Sequence, residues 1–350
     1  MHEGEVTSPA RAQAADWARA ALSRAGIRLV CVPAAGAQIT TRMTAALGIR
    51  HPVMSAGMGH LAVPPLVAAV SAAGGLGLLA TSTSTPDEVR DAIREVRRLI
   101  SAPFGANILM RSEHAAAIAA VVVEERVPVV NLALGIDADL VAAVHRYDGK
   151  VVSTVTTVHH ARKAEASGVD ALIATGHEAG GHGGDISTMV LVPLLVRSVA
   201  IPIIAAGGFS DGAGLAAALM LGAAGISMGS RFALSVESPI HATVRDLLLA
   251  SSAADTIVTD QIDGLPSRVL GTELARAIAA SHDYADGIPS RGTDTFSALR
   301  RGDLDRGVVA IGQVIGMISD TPTCAEIVQR VVSDARALIV GRADEFSPLT

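Results

Sequence analysis

The chain has 350 residues, of which 50% are hydrophobic and 2% aromatic, and its formal net charge is -6 at pH 7. A negative charge with so few aromatic side chains disfavours nucleic-acid binding, which needs electrostatic attraction and base stacking. Two isolated cysteines predict neither a disulfide framework nor a zinc knuckle. Because no uncharged run approaches the roughly 20 residues of a membrane span and no signal-peptide pattern is present, we expect a cytoplasmic protein without membrane partners.

Residues 1–45 are predicted to form one or two extra helices that cover the N-terminal end of the main domain or contact another subunit. From about residue 50, apolar strand-like runs alternate with helical patterns. The predicted strands are 51–56, 75–80, 104–110, 127–134, 150–155, 170–175, 201–206 and 225–232. The predicted helices are 61–73, 86–100, 112–125, 137–147, 157–167, 187–198 and 211–221.

Eight strands separated by seven helices in about 185 residues predict a (β/α)8 TIM barrel, an α/β fold. An open doubly wound sheet is the alternative, but it usually has fewer strands. Residues 235–305 break the rhythm and are predicted to form a small inserted lobe near the C-terminal face of the barrel. Residues 306–340 are predicted to return to helix, most clearly at 323–339. The expected domains are therefore 1–45, a barrel of 46–234 plus 306–350, and the lobe 235–305.

The loop at residues 174–184, with the sequence ATGHEAGGHGG, follows the sixth predicted strand and precedes a helix. Its glycines permit close backbone approach to a ligand, and the amides at the start of a helix suit an anion. Small residues flank His182, which is the candidate catalytic residue because an imidazole can move a proton near neutral pH. Glu178 has three open interpretations, namely binding a cofactor hydroxyl, capping a local amide cluster, or facing water.

Small residues also gather where the seventh and eighth strands end, a frequent position of phosphate sites in these barrels. The backbone amides of Gly207, Gly208, Gly229 and Ser230 are candidate phosphate ligands. The alternative is that these residues only allow tight turns and close helix packing. No metal site is predicted, since the spacing of the histidines does not place two imidazoles on one helical face.

These motifs resemble the nitronate monooxygenase family (formerly 2-nitropropane dioxygenases), whose relatives include flavin-dependent enoyl-acyl-carrier-protein reductases. The resemblance spans residues 47–318. It depends on AGMG at 56–59, AAGGLG at 72–77, Asn107, EAGGH at 178–182, AAGG at 205–208, MGSRF at 228–232 and GQVIG at 312–316.

The resemblance implies one FMN per barrel, with His182 beside the reactive nitrogen of the flavin. It implies that Ala56, Gly57, Met58, Asn107 and Gln313 contact the flavin ring or the ribityl chain. The residues expected at or near the phosphate end are Gly180, Gly181, Ala206, Gly207, Gly208, Met228, Gly229 and Ser230, with Glu178 as a further cofactor candidate. In this family the redox chemistry belongs largely to the cofactor, which the protein positions and tunes.

Three functions follow from the resemblance. The first is a nitronate monooxygenase that oxidises alkyl nitronates with O2. The second is an NAD(P)H-dependent enoyl-thioester reductase or a related thioester redox enzyme, and the third is a non-catalytic flavin-binding protein. A small-molecule substrate is expected, and a homodimer is plausible. The chain departs from the family pattern at His60, in the loop at residues 56–60 after the first strand, and at Gly183 after the histidine, and these departures disfavour the simple nitroalkane substrate.

Overall fold

The computed structural model describes residues 28–29, 38–281 and 294–345. Most of the predicted N-terminal helices therefore lie outside the described residues. Within 1–45, β1 (Arg28–Leu29) pairs antiparallel with β2 (Ile39–Thr40), and α1 (Arg42–Leu47) follows. The two short strands were not predicted, and the helical extension over 1–45 stays a prediction.

Helix α1 covers the N-terminal end of the barrel, which is one of the two roles that the sequence suggested for this region. Thr41 begins the helix with a capping box, and its hydroxyl also donates to the carbonyl of Ala224 at 2.5 Å. Met43 is fully buried below the barrel strands, where its sulfur occupies the space that a Cβ at Gly225 would take. A side chain at residue 225 would clash with this sulfur and with the backbone carbonyl of Pro52, so the close approach of α1 to the barrel needs glycine there.

Eight parallel strands form the main sheet, and each overlaps a predicted strand. They are β3 (Val53–Ser55), β4 (Leu78–Ala80), β5 (Gly105–Leu109), β6 (Val129–Ala133), β7 (Lys150–Val155), β8 (Ala171–Thr175), β9 (Ile203–Ala206) and β10 (Gly225–Met228). Their order is β3-β10-β9-β8-β7-β6-β5-β4. A parallel bridge between Met54 and Leu76 brings β3 next to the residues before β4. The sheet is thus a nearly closed barrel, and the predicted TIM-barrel fold is confirmed.

The predicted helices lie between the strands, each within a few residues of its predicted ends. They are α2 (Pro64–Ala72), α3 (Pro86–Leu99), α4 (Ala115–Glu124), α5 (Ala138–His145), α6 (Val158–Ala166), α7 (Thr188–Val196) and α8 (Gly212–Met220). Local sequence explains their starts: Thr85 and Glu88 form a capping box at α3, and Asp211 accepts from the amide of Gly214 at α8.

The strand side chains alternate between the barrel interior and the helix-facing shell. In β8, Leu172 and Ala174 pack with the helices, whereas Ala171 and Ile173 belong to the interior cluster that also contains Met43. This period of two is the side-chain alternation of a β-strand. It places the last inward-facing residues of each strand at the mouth of the barrel, where a site can form.

The eighth strand is shorter than the predicted 225–232, because β10 ends at Met228 and α9 (Ser230–Ala233) follows at once. A short apolar run does not by itself distinguish strand from helix. The side chain of Arg231, 8% exposed, joins α9 to a later segment of the chain through Asp320: its Nη1 lies 2.7 Å from Oδ1 of that carboxylate. Burial lowers the pKa of Arg231, and the hydrogen bond to Asp320 opposes that shift.

Replacing Arg231 with alanine should lower the free energy of unfolding by about 2–3 kcal/mol, below the usual loss for a broken buried pair because Asp320 stays hydrated. Arg330 supplies a matched control, since it contacts the other oxygen of the same carboxylate at 2.7 Å but has a side chain that is 55% exposed. Arg330→Ala should cost less than about 1 kcal/mol. Urea unfolding followed by circular dichroism measures the stability of both variants. Equal losses would contradict the conclusion that the buried Arg231 stabilises the fold more than the exposed Arg330.

Residues 235–305 contain α10 (Ala242–Leu249), an antiparallel hairpin of β11 (Thr256–Thr259) and β12 (Ser267–Leu270), and α11 (Glu273–Ala280). The division of the chain into three domains stays a prediction. The predicted helical return at 306–340 is wrong for its first half, where isolated bridges and a short 3-10 helix (Gln313–Met317) occur. It holds for α12 (Cys324–Glu345), which packs on α8. In the described part of the chain, no helix is both long and apolar enough to cross a membrane.

Candidate active site

A cavity of about 760 Å³ opens at the C-terminal ends of the barrel strands. This is the end at which active sites form in TIM barrels. Most of the candidate site residues lie on its wall: Ala56, Gly57, Met58, Asn107, Glu178, Gly180, Gly181, His182, Ala206, Gly207, Gly208, Gly229 and Ser230. The structure thus brings residues from several separate loops and strand ends to one place.

Met228 and Gln313 are the two candidates that do not lie on this wall. Met228 is 1% exposed and packs in the shell between strands and helices, because the alternation along β10 turns its side chain outward. Its carbonyl nevertheless accepts from the amide of Ala56 at 3.0 Å. The backbone amide of Gln313 donates to the backbone carbonyl of Glu178 at 3.0 Å. Both residues therefore support the wall from behind through their backbones.

The loop that follows β3, residues 56–60, passes very close to β5. A Cβ at Gly57 would overlap Cβ of Asn107 and lie 2.6 Å from Cγ of the same side chain, so only glycine fits there. Asn107 is 6% exposed, and its side-chain oxygen accepts from Nδ2 of Asn131 at 2.5 Å. Asn131 also exchanges hydrogen bonds with Oγ1 of Thr154, at 3.1 and 3.2 Å. This network fixes the amide of Asn107 at the cavity floor.

The sequence analysis did not identify four polar residues that line the cavity: Asn131, Ser153, Thr154 and Ser227. Each interrupts an otherwise apolar strand. An interior polar residue near the end of a barrel strand would have been the signal, because such a group needs a hydrogen-bond partner or a ligand. This signal can be used only when it is known which residues of each strand face the barrel interior.

His60, one departure from the family pattern, lies outside the cavity wall. Its backbone has a left-handed φ of 61°, and its ring packs edge-on against Phe296 with 5.4 Å between the ring centroids. Burial, assisted by the Arg300 guanidinium, lowers the pKa of His60. The imidazole thus contacts the segment at 294–301 and not the cavity.

Close packing requires glycine at several positions of the 174–184 loop. A Cβ at Gly176 would overlap Oγ1 of Thr188, and one at Gly180 would lie 2.6 Å from the carbonyl carbon of Ile311. At Gly183, the second departure, a Cβ would approach the carbonyl of Gly176 to 3.1 Å. The loop is therefore compact, and its shape is set by contacts that side chains would prevent.

Glu178 caps the start of α7. Its carboxylate accepts from the amide of Thr188 at 2.9 Å and from the hydroxyl of the same residue at 2.7 Å. Of the three sequence interpretations, capping a local amide is therefore the one observed. A carboxylate at a helix N-terminus is favoured by the helix dipole, which explains its position.

His182 pairs with a carboxylate that the sequence did not reveal. Its Nε2 lies 2.9 Å from Oδ2 of Asp263, which stands in the turn of the β11–β12 hairpin. The hydrogen bond from His182 holds the pKa of Asp263 below its ordinary value, although partial burial opposes this. The two residues are 81 positions apart, and no local pattern connects them.

The residues around Gly207 and Gly208 fit an anionic group. Both have left-handed φ angles, 94° and 87°, and a Cβ at Gly208 would make only ordinary contacts with the Glu178 side chain, at 3.6 and 3.9 Å. Among the described residues, no protein acceptor takes the amide hydrogens of Gly207, Gly208, Gly229 or Ser230. Gly207 and Gly229 are half-buried and Ser230 is buried, whereas Gly208 is exposed. Buried and half-buried amides need a hydrogen-bond partner, and a phosphate supplies one.

A family model described as nitronate monooxygenase matches residues 40–121 and 114–334. The chain belongs to the nitronate monooxygenase family. It is 37% identical to the (3aS,4S,5R,7aS)-5-hydroxy-7a-methyl-1-oxo-octahydro-1H-indene-4-carboxyl-CoA dehydrogenase of Mycobacterium tuberculosis, over 85% of this chain and 96% of the relative. It is 31% identical to the nitronate monooxygenase of Pseudomonas aeruginosa, over 85% of this chain and 100% of the relative.

The structure of FabK from Thermotoga maritima superposes with a TM-score of 0.82 at 37% identity, covering 87% of this chain and 99% of that one. A nitroalkane oxidase from Streptomyces ansochromogenes gives a TM-score of 0.77 at 28% identity, covering 86% and 100%. The predicted family and its kinship with enoyl reductases are confirmed. The protein is therefore an oxidoreductase of a flavin-dependent family, and the alternative of a non-catalytic binding protein finds no support among these relatives.

Proposed function

We propose that the protein is an FMN-dependent oxidoreductase that acts on an acyl thioester carried by coenzyme A or a similar phosphorylated carrier. The observation behind this is a basic rim, defined by Arg111, His160 and Lys163, on the wall of the same cavity as His182. All three side chains are exposed to solvent. They suit the phosphates of an extended substrate better than the single charge of a nitronate.

The rim is separate from the expected phosphate end of the flavin. Arg111 follows β5, which lies four strands from β9 in the barrel order, and Gly207 and Gly208 follow β9. A cofactor phosphate at those glycines would therefore leave the rim free for a second anion. Relatives at 35% and 37% identity are named as CoA dehydrogenases, which agrees with a CoA thioester in that place.

The wall residues divide into two roles toward the cofactor. The amides of Gly207, Gly208, Gly229 and Ser230 would hold the phosphate, while Ala56–Met58 and Asn107 would face the ring or the ribityl chain. When bound, FMN supplies a two-electron acceptor and donor. Glu178, Met228 and Gln313 keep the loops in place through the hydrogen bonds described above.

His182 would exchange the proton that accompanies the redox step. In thioester chemistry the carbon next to the carbonyl gains or loses a proton while the next carbon gains or loses a hydride. An imidazole has the intrinsic pKa suited to such proton transfer near neutral pH. The aliphatic wall residues, among them Leu78, Leu109 and Ile173, would exclude water from the acyl chain.

Nitronate oxidation with O2 is the second candidate, favoured by the family match and the Pseudomonas aeruginosa relative.

Visible spectra of the flavin-loaded protein, recorded without oxygen, distinguish the thioester function from the nitronate function. Each candidate substrate or reductant is added to a separate sample. Bleaching by an acyl-CoA, or by NAD(P)H with return of colour on adding an enoyl-CoA, supports the thioester proposal. Bleaching by propyl-2-nitronate alone, with recovery in air, moves the assignment to nitronate. Chromatography of the released flavin tests whether it is FMN.

The basic rim gives a test that depends on the carrier. Lys163→Ala and Arg111→Ala should each raise KM for a CoA thioester by roughly 5- to 10-fold, the loss of one exposed charge-assisted contact, with little change in kcat. The corresponding pantetheine thioester, which lacks the nucleotide phosphates, should be unaffected. Arg162→Ala is the matched control, since that exposed residue neighbours Lys163 but is not on the cavity wall. The same KM change for both thioesters would remove the rim from substrate binding.

A further inference from the structure

The hairpin β11–β12 is fastened to the loop that carries His182. Gly181 and Arg268 form an antiparallel bridge with two backbone hydrogen bonds, each 2.9 Å. Nε of Arg268 also donates to the carbonyl of His177 at 3.0 Å, and its Nη1 donates to Oγ1 of Thr256 at 2.9 Å. Arg268 is 4% exposed. The loop and the hairpin are therefore joined at both the backbone and a buried side chain, so the turn of the hairpin has a fixed position relative to His182.

The carboxylate in that turn is itself oriented. Oδ1 of Asp263 accepts from the amide of Leu265 at 3.2 Å, while Oδ2 faces Nε2 of His182 at 2.9 Å. Because its pKa is held low, the carboxyl is ionised near neutral pH and can only accept hydrogen bonds. The proton between the two groups therefore belongs to Nε2 of the imidazole.

The other ring nitrogen of His182 has no partner among the described residues. His182 lies on the cavity wall with 28% of its side chain exposed. A neutral imidazole that donates through one nitrogen has its lone pair on the other. We infer that Asp263 is a positioning residue that holds His182 with its proton on Nε2, so that Nδ1 is the atom that exchanges a proton with the substrate.

This inference rests on the proposed role of His182 but does not depend on which substrate is used. The positive charge of Arg111 also contributes to lowering the pKa of Asp263. A purely structural role for Asp263 would leave the tautomer of His182 and the balance between kcat and KM unchanged. Those two quantities are therefore the ones to measure.

The first measurement uses flavin-loaded protein labelled with ¹⁵N in histidine. A two-bond ¹H–¹⁵N spectrum, recorded at a pH where the imidazole is neutral, distinguishes the tautomers, and the signals of His182 are those lost in His182→Ala. We expect the wild type to be protonated at Nε2. Asp263→Asn, whose amide oxygen can still accept, should keep that tautomer, whereas Asp263→Ala should give a mixture. An unchanged spectrum in Asp263→Ala would overturn the inference.

The second measurement is steady-state kinetics with the substrate found in the spectral experiment. Asp263→Ala should lower kcat about 10-fold, the usual size for losing a hydrogen bond to a charged group, with KM changed less than about 2-fold. Asp260→Asn is the control, because that exposed carboxylate is in the same turn but contacts the side chain of Gln261. An equal loss in Asp260→Asn would also overturn the inference. If no thioester or nitronate is turned over, the proposed function fails, and the spectrum still decides the role of Asp263.

Discussion

Replacing His182 with alanine should lower kcat/KM by about 10²- to 10⁴-fold while the protein keeps its flavin, because the variant loses proton transfer and not cofactor contacts. The side chain stands on the cavity wall, and its only hydrogen-bond partner among the described residues is Asp263. Removing it therefore leaves the glycine packing of the loop intact. The measurement combines turnover with the visible spectrum of the bound flavin.

His177→Ala is the control for this variant. His177 belongs to the same glycine-rich loop, but it is not on the cavity wall, and its described hydrogen bonds use the backbone. We expect near-normal turnover and flavin content from it. Two results would contradict the role of His182: unchanged turnover in His182→Ala, or a similar loss in both variants.

The barrel was predictable because every strand carries its own local signal. In β6 and β8 the apolar runs are bounded by turn residues, and helices with clear caps separate the strands. The end of strand β10 could not be predicted in this way, because the residues that follow Met228 and Gly229 form the short helix α9. The buried Arg231 in that helix depends on Asp320, a partner that only the folded chain supplies.

The part of the candidate site that lies at the C-terminal ends of the strands was predictable. A TIM barrel brings the C-terminal ends of its strands together, so Gly57, Asn107 and Gly208 could be grouped from their order alone. Met228 shows the limit, because one residue along a strand changes the face on which the side chain lies. Asp263 could not be found in this way, since it reaches His182 from a hairpin outside the repeating units.

Gly208→Val should weaken flavin binding, with Kd raised by about 100-fold or more, because the side chain would occupy the space that the cofactor phosphate needs. A Cβ at this position meets only the side chain of Glu178, at 3.6 and 3.9 Å, so the cavity side is open to it. The backbone amide of Gly208 is one of the four that have no acceptor within the part of the chain that the structure describes. Flavin affinity measured by fluorescence quenching during titration of the flavin-free protein tests the expectation.

Valine at a left-handed residue also strains the backbone, by about 1–3 kcal/mol, so a loss of affinity could come from unfolding. Gly48→Val separates the two effects. Gly48 has a φ of 66° at the end of α1, a Cβ placed there would meet nothing within 4 Å, and the residue is not on the cavity wall. Both variants should lose similar stability in urea, yet only Gly208→Val should lose flavin. Equal flavin affinity in the two would mean that the phosphate binds away from β9, and the basic rim would then be the next place to look for it.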